Sequence, residues 1–478
     1  MNAPQRLRPN RPIVVVSNRG PVTFDFGPDG SPVARRAGGG LATAIGGAIV
    51  GTDAVWIAAS LSEADRQVAG QGLIESEGFR LRLLNIEPDL FAPFYNTIAN
   101  GTLWFLHHGL FDAGRRPRFD RRFHDAWSAF REVNDLFTRA IADEAPEGAL
   151  VLVHDYHLSL VGSALAAARP DLNSVYFHHT PFCGPNALAM LPDAIAVEMM
   201  LGLAGFDACG FHSPRWAQGF ESCARSVLGT SPPTFVAPVA VDADDLAGTV
   251  VSAACRDALD ELDEQVGPRS LIVRVDRIEL SKNLLRGFLA FDDLIETHPE
   301  WRERVVFVAF VYPSREGLLE YQAYRLEVEG LVRRINDRWR TPTWEPILYD
   351  ASDDYPRSIA ALCRYDVLLV NPVRDGLNLV AKEGPLVNRR NGVLALSREA
   401  GAWDELGGTA LEVNPFDVAG TSDVLHAALS MGPADRERHA DSLRRRAGAR
   451  TPNDWYLAQI HALDDQALDD QARGDDRS

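Results

Sequence analysis

Short runs of consecutive apolar residues constrain the fold of this chain more than any other feature. Most are rich in β-branched side chains and do not alternate with polar residues. Such runs predict strands buried on both faces, as in a parallel sheet. Helical patterns lie between them, as over Leu284–Ile295, so the chain is predicted to be an α/β protein built from βαβ units. The predicted strands are Ile13–Val16, Leu150–Val153, Val175–Phe177, Leu271–Val275, Val305–Phe310, Val367–Val370 and Val393–Leu396.

A proline-rich, acidic stretch near the middle of the chain predicts a domain boundary. Ser231–Asp245 carries three prolines and ends in VDADD, and a new strand–helix series starts at Leu271. The 478 residues are enough for two large domains. We therefore expect two doubly wound, Rossmann-like domains, 1–240 and 241–450, that face a central cleft. Residues 451–478 are expected to form a helix that packs back on the first domain, followed by an acidic tail.

Charge and cysteine usage exclude several classes of protein. Lys and Arg number 48 and Asp and Glu 66, a net charge of −18, which disfavours a broad nucleic-acid or anionic-membrane surface. The five cysteines are scattered without a C-x-x-C pair, which argues against a disulfide framework or a zinc site. The first twelve residues lack the apolar core of a secretory signal. We expect a cytoplasmic protein without nucleic-acid or membrane partners, and a homo-oligomer is compatible with the sequence.

In the first half, polar groups follow the predicted strands. Arg19 follows Ile13–Val16, where an arginine can bind phosphate or form a surface salt bridge. The glycines of AGGGL, including Gly39 and Gly40, can let the backbone approach a phosphate or simply form a flexible turn. The segments HDYH, with Asp155, and FHHTPF, with His179, end the next two strands. Divergent side chains make a metal site less favoured for HDYH than contacts to sugar hydroxyls.

In the second half, cations and acids follow the strands in the same way. Arg277 and Lys282 stand between a strand and a helix, suited to a leaving diphosphate, although solvated surface cations are the simpler interpretation of each alone. Arg315 follows the next strand. In the segment VRDGLNLVAKE, Gly376 permits a turn, the N–H groups of Leu377–Leu379 are expected to begin a helix that cradles a phosphate, and Asp375 and Glu383 can reach two sugars. Together these clusters predict a two-domain enzyme for a nucleotide sugar and a second anionic ligand.

These segments resemble the trehalose-6-phosphate synthase family, which consists of retaining glycosyltransferases of the GT-B fold. The resemblance runs from about Ile13 to Leu463 through VVVSNRG, AGGGL, FYN…LW, HDYH, FHHTPF, DRIELSKN, YPSREG and VRDGLNLVAKEGPLVN, in the family's order. It implies glucosyl transfer from GDP-glucose or UDP-glucose to glucose 6-phosphate, with retained configuration and no covalent enzyme intermediate. It implies no cofactor and no metal, because two cations take the electrostatic role of a metal ion.

The resemblance also implies roles for individual residues. Arg19, Arg315 and Tyr95 would bind the acceptor phosphate, and Trp104 and Asp155 the acceptor sugar. Arg277 and Lys282 would stabilise the leaving diphosphate, and the proposed catalytic set is completed by Asp155, His179 and Asp375. The donor hexose would contact His179 and Asp375, and its ribose Glu383. The remaining donor-binding positions are Gly39, Gly40, Gly376, Leu377, Asn378 and Leu379.

The sequence departs from the family pattern at the motif that carries the two cations. The common Arg-Leu-Asp-Tyr reads Arg277-Ile278-Glu279-Leu280 here, and the common Ser-Lys-Gly reads Ser281-Lys282-Asn283, which indicates an actinomycete-like branch. The loop that borders the nucleobase contains Asp353 and Asp354. A carboxylate can accept both N–H donors of guanine, which favours GDP-glucose. The alternative is that these aspartates are solvated or cap the helix that follows.

Two other functions are compatible with the same fold. One is a pseudo-glycosyltransferase of the validoxylamine-phosphate type, which joins cyclitols; the intact HDYH and DGLNLVAKE segments favour the true synthase. The other is a sugar-phosphate sensor without catalysis. The retention of Arg277, Lys282, Asp155 and Asp375 argues against that sensor.

Overall fold

The chain divides into two structural units. The computed structural model describes residues 11–36 and 40–475, with side chains except over 40–43 and 464–475. The first unit contains the residues up to Val239 together with those from Pro452 onward, and the second contains Ala240–Thr451. Each unit is built around one extended sheet. The apolar strands of such a sheet are buried on both faces, and helices cover them.

The first unit has an eight-stranded sheet within the described residues, in the order β10-β9-β8-β7-β1-β4-β6-β5. All neighbouring pairs are parallel except β5 and β6. A separate antiparallel hairpin joins β2 and β3. The strands are β1 Ile13–Ser17, β2 Val22–Phe26, β3 Pro32–Arg36, β4 Val55–Ala59, β5 Leu73–Ser76, β6 Phe79–Leu84, β7 Leu150–His154, β8 Asn173–His178, β9 Ala208–Phe211 and β10 Thr234–Val236.

Helices connect these strands, and several have the expected caps. The Ser62 side chain forms a capping box with Asp65 at the start of the second helix, and Asp120 caps the fifth. An eleven-residue π-helix, Pro93–Leu103, leads into the fourth helix. The helices are α1 Gly40–Ile49, α2 Glu63–Ala69, α3 Pro88–Ala92, α4 Trp104–His108, α5 Arg121–Glu144, α6 Val161–Ala168, α7 Pro185–Leu188, α8 Asp193–Ala204 and α9 Pro214–Leu228, with a 3₁₀ turn at Tyr156–Leu158.

The second unit has a six-stranded parallel sheet over the described residues, in the order β13-β12-β11-β14-β15-β16. Its two longest strands, β11 and β12, lie side by side in register from Ser270–Val305 to Ile278–Pro313. The strands are β11 Ser270–Ile278, β12 Val305–Pro313, β13 Ile347–Asp350, β14 Val367–Val370, β15 Val393–Ser397 and β16 Leu411–Val413.

The helices of the second unit flank this sheet. The predicted helix Leu284–Ile295 is present as α12, whose apolar residues are buried. The helices are α10 Ala243–Val250, α11 Ala253–Val266, α12 Leu284–Thr297, α13 Leu319–Trp339, α14 Tyr355–Arg364, α15 Val380–Val387, α16 Trp403–Leu406, α17 Val418–Ser430 and α18 Pro433–Ala447, with 3₁₀ turns at Leu280–Lys282 and Pro299–Trp301.

The last helix, α19, spans Pro452–Asp475 and belongs to the first unit. It packs against α1 and β9, and Trp455 is buried against Phe177. The segment expected to be an acidic tail, in which DDQA occurs twice, is helical through Asp475. Within the described part of the chain, every helix is too short or too polar to cross a membrane.

The strand predictions are confirmed, since each of the seven apolar runs lies in a strand. In each sheet the strand order runs outward in both directions from the first strand of the unit: β1 lies between β4 and β7, and β11 between β12 and β14. Such a point of reversed strand order leaves a crevice at the carboxyl ends of the strands, where ligands bind in doubly wound folds.

Candidate active site

Lys282 is held in the crevice between β11 and β14. Its Nζ lies 2.7 Å from Oδ2 of Asp375 and 3.6 Å from Oδ1 of Asp276. Burial alone would lower the pKa of Lys282, but the two carboxylates outweigh it and the pKa is raised. Lys282 therefore keeps its positive charge next to the strand ends, as a group that stabilises an anion must.

Arg274 contacts both the backbone of Lys282 and one of its carboxylate partners. This fully buried guanidinium pairs with Oδ2 of Asp276 at 3.1 Å and donates to the backbone carbonyl of Lys282 at 2.7 Å. It also donates to the side chain of Asn371. Arg274 and Asp276 contact the predicted site residue Lys282, and the sequence interpretation missed both, although their i, i+2 spacing on one face of a buried strand marks them as a pair.

Arg277 and Arg315 meet at one carboxylate, that of Glu279. Nη2 of Arg277 lies 3.1 Å from Oε2 of Glu279, and Nη1 of Arg315 pairs with Oε1. Arg277 is about one-third exposed, whereas Arg315 is largely buried and has a left-handed φ of 48°. The structure thus brings these two predicted site residues together through Glu279, which the sequence analysis noted only as a departure from the family pattern.

Hydrogen bonds of Asn378 hold the loop before α15. Nδ2 of Asn378 donates to Oδ2 of Asp375 at 3.1 Å, and Oδ1 of Asn378 accepts from the N–H of Ala381. The sequence predicted that the helix begins at Leu377. Asn378 has a left-handed φ of 79°, which a helix does not allow, and α15 begins at Val380. The N–H groups of Leu377–Leu379 belong to this loop.

A second segment, 399–402, backs the same loop. The N–H of Asp375 donates to Glu399, and the N–H of Ala402 donates to Leu377. A Cβ on Gly401 would lie 2.0 Å from the carbonyl oxygen of Gly376, so only glycine allows this approach. The backbone around Gly376 and Leu377 is therefore held by contacts within the protein.

Glu383 and Asp354 occupy different environments. Glu383 is half-buried in α15, and burial raises its pKa to about 7. Asp354 is the N-cap residue of α14: its Oδ1 accepts from the N–H of Arg357 at 3.0 Å. The structure therefore shows the helix-cap role that was the alternative to base recognition. Asp353 is exposed beside it.

In the first unit, Asp155 stands at the carboxyl end of β7 in a strained conformation. Its φ of 76° and ψ of 161° fall in a region that is essentially restricted to glycine and that costs about 1–3 kcal/mol elsewhere in proteins. Oδ1 accepts from the N–H of Tyr156 at 3.0 Å, and Oδ2 lies 3.9 Å from Nδ1 of His157. Strain of this kind is typical of functional positions.

Aromatic rings connect Asp155 to the π-helix. Tyr95 stacks on His157 with ring centroids 5.8 Å apart, and Trp104 meets Tyr156 edge-on at 5.9 Å. The structure thus brings Tyr95, Trp104 and Asp155 into one cluster. Arg19 lies exposed after β1, the neighbour of β7, where the Ser17 hydroxyl donates to its carbonyl oxygen.

His179 belongs to a chain of three histidines. The N–H of Val239 donates to Nδ1 of His212, which leaves the His212 proton on Nε2, 3.2 Å from Nδ1 of His179. The His179 proton is then on Nε2, 3.1 Å from Nδ1 of His154. Burial lowers the pKa of His179 to about 3 and that of His154 well below its ordinary value. The rings of His154 and His179 are therefore neutral near pH 7. Both nitrogens of His179 face another histidine, so a sugar hydroxyl that binds either nitrogen has to replace that contact.

Two further positions complete the predicted set. Gly40 is the first residue of α1, and Gly39 lies outside the described residues.

Away from the crevices, His298, Glu300 and His426 place three ligand-type atoms within 4.8 Å of one another. The two imidazoles stack with centroids 3.7 Å apart, and His298 and Glu300 precede β12, at the opposite edge of the sheet. This group is therefore separate from the candidate active site.

Comparison with known proteins places this geometry in a family. Residues 11–465 match the family model described as glycosyltransferase family 20. A trehalose-6-phosphate synthase from Mycobacterium sp. (strain KMS) is 33% identical over 95% of both chains.

Two solved structures are similar over nearly their whole length. An α,α-trehalose-phosphate synthase (UDP-forming) from Burkholderia vietnamiensis has a TM-score of 0.81 at 27% identity, covering 95% of this chain and 100% of its own. The corresponding Burkholderia xenovorans enzyme, in complex with glucose-6-phosphate, gives the same values. The predicted GT-B class of two Rossmann-like α/β units is confirmed. The chain is an enzyme and belongs to glycosyltransferase family 20.

Proposed function

We propose that this enzyme transfers glucose from a nucleoside-diphosphate glucose to glucose 6-phosphate and forms α,α-trehalose 6-phosphate with retention of configuration. The observation that supports this proposal most directly is the position of the charged Lys282 between Asp375 and Asp276 at the β11–β14 crevice. Arg277 lies nearby on β11. Preorganised cations of this kind stabilise the charge that develops on a leaving diphosphate. The comparisons support the same reaction class.

The donor would bind to the second unit. The amino end of α15 and the loop before it offer N–H groups and a favourable dipole to the diphosphate. Asp375 lies next to Lys282 and can therefore hold a hexose hydroxyl beside the leaving group. Glu383 would bind the ribose and His179 the hexose. The backbone contacts are proposed for Gly39, Gly40, Gly376, Leu377, Asn378 and Leu379.

The acceptor would use the aromatic and acidic cluster of the first unit. Trp104 offers an apolar ring and Asp155 a partly exposed carboxylate, the two kinds of group that bind a hexose. The 6-phosphate is assigned to Arg19, Arg315 and Tyr95. Transfer occurs on the front face of the donor, so no covalent enzyme intermediate forms.

For the nucleobase we propose uracil over guanine. The guanine argument depended on Asp353 or Asp354, and Asp354 uses its carboxylate to cap α14. A Burkholderia relative is described as UDP-forming. The UDP-glucose to GDP-glucose ratio of kcat/KM should exceed one, and the cap-preserving Asp354→Ser should not change it. A parent enzyme that prefers GDP-glucose, with that preference lost in Asp353→Ala, would reinstate the guanine contact.

The proposed function is tested by product analysis. The enzyme mixed with UDP-glucose and glucose 6-phosphate should release UDP and form trehalose 6-phosphate with both anomeric centres α. An aminocyclitol phosphate as acceptor tests the pseudo-glycosyltransferase alternative, and absence of nucleotide release with every donor would favour a sensor.

Arg277→Ala should lower kcat about 10²–10³-fold, as does the loss of a preorganised transition-state donor. Arg304→Ala is the matched control, because Arg304 is exposed at the amino edge of the same sheet. Turnover in Arg277→Ala close to that of Arg304→Ala would remove Arg277 from the mechanism.

A further inference from the structure

Glu279 is a fully buried carboxylate whose two oxygens face different arginines. It follows β11, its Oε1 pairs with Arg315, and its Oε2 lies 3.1 Å from Nη2 of Arg277. The Tyr321 hydroxyl lies 3.5 Å from Oε1, beside the Arg315 contact.

The energetics of burial make a purely structural role for this carboxylate insufficient. A buried charge costs several kcal/mol unless it is paired, and one arginine would be enough to pair it. The second arginine is therefore more than the pairing of this carboxylate requires. Each guanidinium has five N–H donors, so it can contact Glu279 and still present N–H groups to a phosphate.

The two arginines serve different substrates in the proposed function. Arg277 is assigned to the leaving diphosphate and Arg315 to the acceptor phosphate. Their strands are neighbours, with Arg277 in register with Tyr312 on β12. Arg315 follows β12 with a left-handed backbone, which directs its side chain back to Glu279.

We propose that Glu279 is a positioning residue that sets the arginines of the donor and acceptor phosphate subsites with a single carboxylate. This inference rests on the proposed function. It explains why one buried acid has an arginine on each oxygen. It also predicts that one substitution at Glu279 changes both KM for glucose 6-phosphate and kcat. Substitution of Arg315 should change mainly the first constant, and substitution of Arg277 mainly the second.

The test is a pair of double-mutant cycles in the full-length enzyme. Glu279→Gln keeps the side-chain shape and removes the charge, so it should raise KM for glucose 6-phosphate about tenfold and lower kcat about 10–10²-fold, the scale of small misplacements of substrate-binding groups. In an Arg315→Ala background it should not raise KM further, and in an Arg277→Ala background it should not lower kcat further. Glu316→Gln, at an exposed acid near Arg315, is the matched control and should behave like the parent enzyme.

Additive effects in both cycles, or a change in only one constant, would overturn the proposal. Glu279→Asp is a second variant in case Glu279→Gln does not fold. It keeps the charge, but its shorter side chain reaches only one of the two arginines. Either KM for glucose 6-phosphate or kcat should therefore change far more than the other. Equal changes in both constants would count against a shared carboxylate.

The proposed function can fail independently of this inference. A parent enzyme without glucosyl transfer would refute the function. In that case calorimetric titration with pyrophosphate and with inorganic phosphate decides the role of Glu279. Weaker binding of both probes to Glu279→Gln than to Glu316→Gln would support it, and unchanged binding would refute it.

Discussion

At the scale of single residues, Glu383 shows how burial adjusts a proposed ligand-binding group. Burial raises its pKa to about 7, from the 4.5 of an ordinary glutamate. A carboxyl whose pKa is higher in the folded than in the unfolded protein contributes stability below its unfolded pKa, and that contribution is lost as the pH rises through the folded value. Near neutral pH, Glu383 is therefore partly protonated in the protein without ligand.

We expect Glu383→Gln to change the pH dependence of stability. The parent should lose free energy of unfolding relative to the variant as the pH rises from about 4.5 to about 7, and the difference should be constant above that range. Urea unfolding of both proteins at closely spaced pH values measures this difference. If the free energies of unfolding of the two proteins differed by the same amount at every pH, burial would not shift the pKa of Glu383.

The residue scale also shows how far the sequence predicts the site. Strand-end positions of Arg277, Lys282 and Asp375 follow from the βαβ pattern, because parallel strands expose their carboxyl ends on one edge. The Glu279 contacts could not be predicted, since a sequence does not show which of two neighbouring arginines a carboxylate meets. For Asp354 the sequence allowed two roles, and only the geometry of the Arg357 N–H shows the cap.

At the scale of elements, the π-helix Pro93–Leu103 is the least predictable part of the site. Its period differs from the 3.6-residue pattern by which helices are found in a sequence, and π-helices are rarely longer than one turn. The Thr102 hydroxyl donates to the Thr97 carbonyl five residues earlier, and the Tyr156 hydroxyl donates to Asn100. Single π-helical turns are frequent at functional sites, and this longer segment carries Tyr95 and leads into Trp104.

Gly101→Ala should distort this element. A Cβ at Gly101 would lie 2.7 Å from the carbonyl oxygen of Asn96, a backbone atom that cannot turn away. Overpacking of this kind costs about 1–3 kcal/mol, and the shift of Tyr95 should raise KM for glucose 6-phosphate more than KM for the donor. Urea unfolding and steady-state kinetics measure the two effects.

Gly47→Ala is the matched control for Gly101→Ala. Gly47 lies in α1 of the same unit, is exposed, and has open space where a Cβ would be added. Replacing a helical glycine by alanine without a clash should stabilise by up to about 1 kcal/mol. If the two variants had the same stability and kinetics, the π-helix would not depend on Gly101.

At the scale of the whole molecule, the chain leaves the first unit at Val239, forms the second, and returns with α19. The apolar spacing of Trp455, Tyr456 and Ile460 indicates a helix from the sequence. Only the structure shows that Trp455 lies against the histidine chain, with ring centroids 5.9 Å from His154 and 5.7 Å from His179. A segment from the far end of the sequence therefore covers a proposed catalytic residue.

Trp455→Ala should accordingly affect the first unit and the reaction together. Trp455 is 2% exposed and packs edge-on against Phe177 at 5.1 Å, so its removal should cost about 3–5 kcal/mol. The cavity also frees His154 and His179 to turn, which should lower kcat. His461→Ala, at an exposed position on the same helix, is the control and should change neither property.

In Trp455→Ala, hydrogen exchange should accelerate in β8 and β9 but not in β11 and β12, because only the first unit loses packing. Equal acceleration in all four strands would mean that the two units do not respond separately, and unchanged exchange in β8 would mean that α19 does not stabilise the first unit.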